Sequence, residues 1–378
     1  MKKMLNLAVM LLGVALFTAC EKDDNEDHGS VPVFVNSGVY VVCSGSMSSG
    51  INGALSYFEY ATKKSTVNIF KDSNGRELGL TANDALRYGD KMYIVVDGEN
   101  CVFVTNAKTM KLLHTIKTTD ATMLGEQGGK SPRRIASYNG SIYVSTFGGY
   151  VAAIDTVNFA LQKKYQVGSY PEGVAISSSG IMYVANSDYG YGNASISKVN
   201  LATGEATDLK DENIRNPQTI AIYGTGFYFL DYGVYGPAPD YAQEHAGVYR
   251  YLNGVVTQVV PNATGMAAYD QTILTYNTPY GGAGVSYSMY DVSSGQLSSY
   301  QPKDIEYPAA IEIDPVSGYV IIASYKMVTS EWGTYPDYTS NGYVNVYANG
   351  FDTVSATFEC GVSPTRIVLN PSWTIFNY

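Results

Sequence analysis

Residues that carry metal or redox chemistry are scarce in this 378-residue sequence. It has four cysteines, three histidines and two tryptophans. No Cys-x-x-Cys pair occurs, and no Cys/His spacing is typical of a zinc site. We therefore predict no metal site and no resident cofactor.

Charge is also scarce, since only 15% of the residues are Asp, Glu, Lys or Arg, and the formal net charge is −10. The sequence contains no basic tract. Because neutralisation of phosphates by Lys and Arg supplies most of the affinity for nucleic acid, this composition excludes a nucleic-acid partner. The 45% of hydrophobic residues are enough to form a sizeable core.

The usual catalytic motifs are missing as well: there is no Gly-x-Ser-x-Gly elbow, phosphate-binding P-loop or His-Glu-x-x-His helix. The glycine-rich residues 281–284 join two predicted strands, which indicates a loop with unusual backbone angles. We predict a non-enzymatic protein without catalytic residues. An enzyme that uses loop carboxylates stays an alternative, with the following candidates: Asp97, Asp188, Asp231, Asp240, Glu244, Glu331 and Asp337.

What the sequence does contain is a repeat. Each unit has an apolar strand, a Gly or Asn turn, a Tyr-Val strand such as GSIYVS (140–145) or GIMYVA (180–185), a variable loop and two more strands. The units begin 39 to 56 residues apart, with a mean of about 47, as in four-stranded propeller blades. Their first residues are Asn83, Pro132, Pro171, Pro217, Thr264, Pro308 and Pro364.

The two ends of the repeat complete each other. Residues 39–70 supply only the later strands of a blade, and residues 365–369 supply a first strand. We therefore predict an all-β fold, a seven-bladed β-propeller with four-stranded antiparallel blades, in which N- and C-terminal segments share one blade. Such closure leaves no free sheet edge. Six or eight blades remain alternatives because the spacing is irregular.

The N-terminus resembles a bacterial lipoprotein signal. Lys2 and Lys3 precede an apolar stretch, residues 5–16, that is too short to span a membrane, and a small residue precedes Cys20. We predict a signal peptide at 1–19, lipidation at Cys20, an acidic flexible tether at 20–35 and the propeller at 36–378. An ordinary signal peptide is the alternative.

Directly after Cys20, residues 21–27 (EKDDNED) resemble the export signal that sends Bacteroidetes lipoproteins to the outer face of the outer membrane. This resemblance implies a lipid-anchored protein at the cell surface. A solvated tether would have the same composition.

The remaining cysteines, Cys43, Cys101 and Cys360, are odd in number, so they cannot form a closed disulfide framework. Each lies in or beside a predicted strand, and we interpret them as small buried hydrophobic residues. His245 lies in a long loop, where a ligand-binding role and simple solvent exposure are both open.

Tyrosine is abundant, with 34 residues, and it recurs in the long loops between second and third strands. These loops lie on one face of a propeller, together with the links between blades. Tyrosine combines a large apolar ring with a polar tip, so we predict ligand binding there. The candidates are Tyr189, Tyr191, Tyr232, Tyr235, Tyr241, His245, Tyr280, Tyr325, Trp332, Tyr335 and Tyr338.

The repeated Pro-x-x-Ile/Val-Ala and Gly-x-x-Tyr-Val segments resemble the YncE-like propeller superfamily. Together with the lipoprotein signal and the tyrosine loops, the chain resembles the BtuG-type surface lipoproteins of Bacteroidetes. That resemblance implies capture of cobalamin (vitamin B12) or another corrinoid outside the cell. It also implies delivery to a BtuB-type TonB-dependent transporter in the outer membrane.

Three alternatives stay open. The first is a surface glycan-binding protein in which Trp332 and the tyrosines stack on sugars. The second is a hydrolase or lyase that uses loop carboxylates or His245. The third is an adhesion propeller with a protein partner.

Overall fold

The computed structural model describes residues 30–237, 241, 243–279, 284–331, 333–348 and 350–377, with side chains left out at 30–32 and 373–377. The chain divides into two compact units, Phe34–Ser372 and Met1–Val33 with Trp373–Tyr378. Of the second unit, the described residues are extended strand. The predicted signal peptide, Cys20 and most of the tether lie outside the described residues.

The unit Phe34–Ser372 is a seven-bladed β-propeller built from four-stranded antiparallel blades, as the repeat predicts. The first three strands of the chain belong to the seventh blade: β1 (Ser30–Cys43), β2 (Ala54–Glu59) and β3 (Lys64–Thr66).

Blades 1 to 3 follow as uninterrupted four-stranded meanders. Blade 1 comprises β4 (Ala82–Tyr88), β5 (Lys91–Val96), β6 (Cys101–Asn106) and β7 (Leu112–Lys117). Blade 2 comprises β8 (Pro132–Tyr138), β9 (Ser141–Thr146), β10 (Tyr150–Asp155) and β11 (Leu161–Gln166). Blade 3 comprises β12 (Pro171–Ile176), β13 (Ile181–Asn186), β14 (Ser195–Asn200) and β15 (Ala206–Leu209).

Blades 4 and 6 each carry an extra two-stranded hairpin between their second and third strands. Blade 4 comprises β16 (Pro217–Tyr223), β17 (Gly226–Asp231), β20 (Gly247–Leu252) and β21 (Val255–Pro261), with the hairpin β18 (Val234–Tyr235) and β19 (Gln243–Glu244). Blade 5 comprises β22 (Gly265–Tyr269), β23 (Thr272–Asn277), β24 (Ser286–Asp291) and β25 (Leu297–Ser299). Blade 6 comprises β26 (Tyr307–Ile313), β27 (Val320–Tyr325), β30 (Asn341–Tyr347) and β31 (Ala356–Val362), with the hairpin β28 (Met327–Ser330) and β29 (Gly333–Pro336).

The seventh blade closes the ring with both ends of the chain. Its strand order is β3-β2-β1-β32, where β32 (Pro364–Asn377) is the innermost strand. The backbone N–H groups of Ser44 and Gly45 donate to the carbonyl oxygens of Ser363 and Val362 at 2.8 and 3.0 Å. This confirms the predicted shared blade. The innermost strands begin within one residue of the predicted starts.

The core is a ring of hydrophobic clusters, one at each of the seven contacts between neighbouring blades. Successive side chains of a strand point to opposite faces of the sheet, so a strand within a blade contributes side chains to two clusters. Phe227 and Phe229 pack toward blade 3, whereas Tyr228 and Leu230 pack toward blade 5. This explains why β17, the second strand of blade 4, is almost continuously apolar.

The described helices are short. Helix α1 (Ile69–Asn74) is capped by the Asn68 side chain, which accepts the Lys71 N–H, and Gly75 ends it at φ 66°. Helix α2 (Gly125–Gly128) precedes blade 2. Within the described residues, none of the helices has the length and apolar character needed to cross a membrane.

Candidate functional site

The centre of the propeller is a channel lined by the innermost strand of every blade. A chamber of about 130 Å³ is bordered by residues of β4, β8, β12, β16, β22, β26 and β32. A larger cavity, of about 450 Å³, shares Arg134, Tyr232, Tyr276 and Thr365 with this chamber. The larger cavity is therefore the mouth of the channel.

Tyrosine dominates this mouth, which we call the tyrosine cavity. Its six tyrosines come from the loops and strand ends of blades 4, 5 and 6: Tyr232, Tyr235, Tyr276, Tyr307, Tyr325 and Tyr338. Among the described lining residues, Arg134 is the one that carries a charge at neutral pH, and none is a carboxylate. The site therefore combines apolar rings with polar tips and a single cation.

The rings form a wall along blade 6. The ring centroids of Tyr307 and Tyr325 are 6.3 Å apart at an interplanar angle of 63°. Those of Tyr325 and Tyr338 are 5.1 Å apart at 71°. Both pairs have the edge-to-face geometry that aromatic side chains prefer, so the three rings of the wall stabilise one another's positions.

The hydroxyls of Tyr232, Tyr276, Tyr307 and Tyr325 stay protonated at physiological pH. Burial raises the pKa of Tyr325 to about 12 and the pKa of Tyr232 and Tyr307 above the ordinary value. Burial also raises the pKa of Tyr276 well above that value. A neutral phenol both donates and accepts hydrogen bonds, which suits a ligand rich in amides.

Tyr232 is held in place by the residue before it. Asp231, which is fully buried, accepts the backbone N–H groups of Arg215, Asn216 and Gly233 at 2.7 to 2.9 Å. Burial raises the pKa of Asp231 to about 6, against the lowering effect of these donors. The Gln243 side chain also donates to the carbonyl oxygen of Tyr232 at 2.7 Å.

Of the sequence candidates, the structure brings Tyr232, Tyr235, Tyr325 and Tyr338 together at this cavity. Sequence reasoning missed Arg134, Tyr276 and Tyr307. Tyr276 lies at the end of β23, next to the long loop of blade 5, and Tyr307 is the first residue of β26, next to the link before blade 6 on the same face. Both positions were therefore accessible to sequence analysis, whereas nothing in the sequence distinguished Arg134 from its neighbour Arg133.

Tyr189 and Tyr191 belong to a different aromatic cluster, which they form with Phe147 and Tyr170. The Tyr189 centroid lies 5.2 Å from Phe147, 4.6 Å from Tyr170 and 6.2 Å from Tyr191. This cluster does not border the tyrosine cavity. Tyr191 is 77% exposed and Tyr189 53%.

Arg133 supports this second cluster. Its guanidinium lies 4.4 Å from the centroid of the Phe147 ring. It donates to both oxygens of Glu172 at 2.9 to 3.1 Å and to Asp97 at 3.0 Å. The cluster therefore packs against a partly buried ion-pair network that joins three blades.

The remaining candidates do not line the cavity. Tyr241 and His245 are exposed on the loops and Tyr335 on β29. His245 has a φ of 62°, and its carbonyl oxygen accepts the Tyr249 hydroxyl at 2.7 Å. Tyr280, Trp332 and Asp240 lie outside the described residues, as does Cys20. The described residues hold no cluster of three or more His, Cys, Asp or Glu suited to a metal ion.

Comparisons with known proteins agree with the fold. A family model described as a domain of unknown function (DUF5074) matches residues 37–186. No curated protein matches the sequence.

Three solved structures are similar at low sequence identity. A quinonprotein alcohol dehydrogenase-like protein from Bacteroides thetaiotaomicron is 14% identical, with 89% of this chain and 78% of that chain covered and a TM-score of 0.56. A provisionally named 6-phosphogluconolactonase from Bacteroides uniformis is 11% identical, with 90% and 100% covered and a TM-score of 0.55. The hydrazine synthase of Kuenenia stuttgartiensis is 14% identical, with 77% and 93% covered and a TM-score of 0.55. At such identities the likeness extends to the propeller fold alone.

Proposed function

We propose that this protein is a non-enzymatic receptor that captures a corrinoid of the cobalamin class at the tyrosine cavity. The observation that carries the proposal is the convergence of six tyrosines on one cavity at the channel mouth, without a carboxylate among its described lining residues. Its volume of about 450 Å³ lies within the range of small-molecule sites, roughly 300–1,000 Å³.

The chemistry of the cavity matches that of a corrinoid. Cobalamin has a broad corrin ring fringed with amides, and it carries no net charge. Tyrosine rings offer flat apolar area, and their neutral hydroxyls donate to amide oxygens and accept from amide N–H groups. A site rich in carboxylates would favour a cation instead.

The loops around the cavity suit a ligand larger than the cavity itself. Tyr235 lies in the hairpin β18–β19 and Tyr338 follows the hairpin β28–β29, and their side chains are 50% and 49% exposed. A cobalamin molecule exceeds the cavity volume, so one part of it inserts while the remainder lies across the mouth between these hairpins.

The N-terminal sequence supports a proposed location for this receptor at the cell surface. Lipidation at Cys20 and the acidic residues 21–27 place the propeller on the outer face of the outer membrane in this proposal. A TonB-dependent transporter of the BtuB type is then the partner that receives the corrinoid. The loop face meets the transporter during transfer.

Calorimetric titration with cyanocobalamin tests the proposal, on the full-length chain solubilised in a mild detergent. We expect saturable one-to-one binding below micromolar. Tyr338→Ala removes a ring of the cavity and weakens binding about tenfold. Tyr335→Ala is the matched control, because Tyr335 is 42% exposed on the neighbouring hairpin and does not line the cavity.

Absence of both heat and a spectral change in the cobalamin would overturn the corrinoid proposal. A glycan receptor is then the second candidate, supported by the cluster of Phe147, Tyr170, Tyr189 and Tyr191, in which Tyr189 and Tyr191 are exposed. Such a cluster offers rings for stacking on sugars. An oligosaccharide screen with Tyr191→Ala as the variant tests this candidate, and loss of sugar binding in the variant supports it.

A further inference from the structure

Arg134 lies where the tyrosine cavity meets the channel. Its side chain borders both the cavity of about 450 Å³ and the chamber of about 130 Å³ below it. It is partly buried on β8. A cation at the floor of an otherwise neutral cavity is placed to meet the inserted end of a ligand.

The guanidinium of Arg134 has spare donors. One of its terminal nitrogens donates to the carbonyl oxygen of Asn83 at 2.6 Å, and a guanidinium has five N–H groups in all. The ion pairs of the described residues do not include Arg134. Its neighbour Arg133, by contrast, is paired with Glu172 and Asp97.

The nearby carboxylates are occupied by other partners. Asp84, in the chamber, accepts the backbone N–H groups of Ala85 and Ile135 at 2.9 and 3.1 Å and faces the Arg366 guanidinium at 3.5 Å. Glu312 lines the opposite end of the channel, again with Arg366. The described charges of the chamber, Asp84, Arg134 and Arg366, therefore sum to one positive charge.

Removing a guanidinium from water costs free energy unless a partner compensates it. The rest of the protein is acidic, with a net charge of −10, yet no described carboxylate pairs with Arg134. Arg134 is partly buried at the border of both cavities, so a ligand can reach its remaining N–H groups, and a ligand that displaces water from them must supply this compensation. Arginine binds phosphate oxygens in two-pronged geometry, with stronger hydrogen bonds than those between neutral groups.

We propose that Arg134 binds a phosphodiester of the ligand, and hence that a corrinoid enters the tyrosine cavity with its nucleotide loop first. This inference rests on the proposed corrinoid function. It implies that the nucleotide-bearing form is selected over the truncated form, and that the opposite face of the corrin ring stays exposed at the mouth.

Titrations with cyanocobalamin and with cobinamide, which lacks the nucleotide and its phosphodiester, test the inference on the full-length chain in detergent. We expect the unchanged protein to bind cobalamin at least about tenfold more tightly than cobinamide. Arg134→Gln removes this difference by weakening cobalamin binding alone. Arg134→Lys keeps part of the difference, and Arg250→Gln, on the outer side of blade 4, keeps all of it.

A smaller probe separates this inference from the proposed function. Phenyl phosphate offers one ring and one phosphate group, and benzyl alcohol is its neutral counterpart; ligand-observed nuclear magnetic resonance detects either. If neither corrinoid binds but phenyl phosphate binds and Arg134→Gln abolishes it, the corrinoid function fails and the anion site stands. If both corrinoids bind equally, before and after Arg134→Gln, the anion site fails and the corrinoid function stands.

If neither the corrinoids nor phenyl phosphate bind, both proposals are overturned. Circular dichroism melting of Arg134→Gln within a few degrees of the unchanged protein shows that a loss of binding is not a loss of folding.

Discussion

Gly265 and Tyr276 face each other across β22 and β23, and the tyrosine ring occupies the space where a side chain at position 265 would lie. The two residues are register partners in the antiparallel ladder. A Cβ added to Gly265 would overlap ring carbons of Tyr276 and lie 2.5 Å from its hydroxyl oxygen. The absence of a side chain at 265 therefore allows the ring of Tyr276, which is 6% exposed, to form part of the cavity floor.

Gly265→Ala is expected to displace the Tyr276 ring and to lower the free energy of unfolding by about 1–3 kcal/mol, the usual cost of overpacking. The displaced ring moves into the tyrosine cavity, so cyanocobalamin affinity falls as well. Urea unfolding and calorimetry measure the two effects. Gly128→Ala is the control, because its added Cβ would lie 3.3 Å from the Tyr150 ring and would not overlap it. Equal losses of stability and affinity in the two variants would contradict the prediction.

Asp337 organises the turn that carries Tyr338. One oxygen of its carboxylate accepts the Thr339 N–H at 2.9 Å, the Thr339 hydroxyl at 2.7 Å and the Ser340 N–H at 3.1 Å. Asp337→Ala is expected to loosen this turn and weaken corrinoid binding about fivefold, the equivalent of one net hydrogen bond. Asp337→Asn keeps an acceptor oxygen at the same place and should bind nearly as well as the unchanged protein.

The same turn has a predictable response to acid. The hydrogen bonds from Ser340 and Thr339 lower the pKa of Asp337 from 3.8 to about 2. A carboxyl whose pKa is lower in the folded state stabilises that state above its ordinary pKa and loses this effect as the pH falls. We therefore expect the turn to lose stability between about pH 4 and pH 2 in the unchanged protein but not in Asp337→Asn. Hydrogen exchange of the Thr339 and Ser340 amides measures it.

The ion pair of Arg133 with Glu172 is expected to matter for stability mainly when only one partner is removed. Glu172 is 3% exposed, so Arg133→Ala leaves a buried carboxylate uncompensated and should lower the free energy of unfolding by about 3–5 kcal/mol. Replacing both residues together, as Arg133→Met with Glu172→Leu, should cost much less than the sum of the single changes. Strict additivity in urea unfolding would contradict this view.

Three cysteine thiols are expected to be unreactive in the folded protein. Cys43, Cys101 and Cys360 are fully buried and free. Burial raises the pKa of Cys101 to about 12, and a hydrogen bond with Cys43 together with burial raises the pKa of Cys360 well above its ordinary value. The thiolate is the reactive form, so iodoacetamide at pH 8 should modify none of the three before unfolding. Peptide mapping identifies the modified sites, and rapid labelling of Cys360 in the folded protein would disprove its placement.

The strand pattern and the closure of the ring were predictable because they depend on local chemistry. Each unit of the repeat has an apolar strand followed by a Gly or Asn turn, so the start of every innermost strand is predictable to within one residue. The complementary first strand at 365–369 followed from the same repeat. The interpretation of three cysteines as buried hydrophobic residues is also confirmed, since each lies in a strand of the core.

The composition of the site could be predicted only in part. The position of tyrosines in the loops between second and third strands predicts one face for them, and Tyr232, Tyr235, Tyr325 and Tyr338 do meet there. The two hairpins β18–β19 and β28–β29 were not expected, because paired segments of two to four residues leave almost no signal in a sequence. Those hairpins and the edge-to-face packing decide which loop tyrosines border the cavity.

The repeating strands and the shared blade follow from the sequence alone, because the repeat and its turn residues lie within about 50 residues of chain. The sequence favours seven blades, and the seven four-stranded sheets of the structure establish that number against six or eight. Which residues of different blades converge depends on the closure of the ring, and no local pattern of the chain contains that information. Tyr232 and Tyr325 are 93 positions apart and meet because the blades bend into a closed ring. Arg133 and Arg134 are adjacent, yet alternation across the strand directs one into an ion-pair network and the other into the cavity.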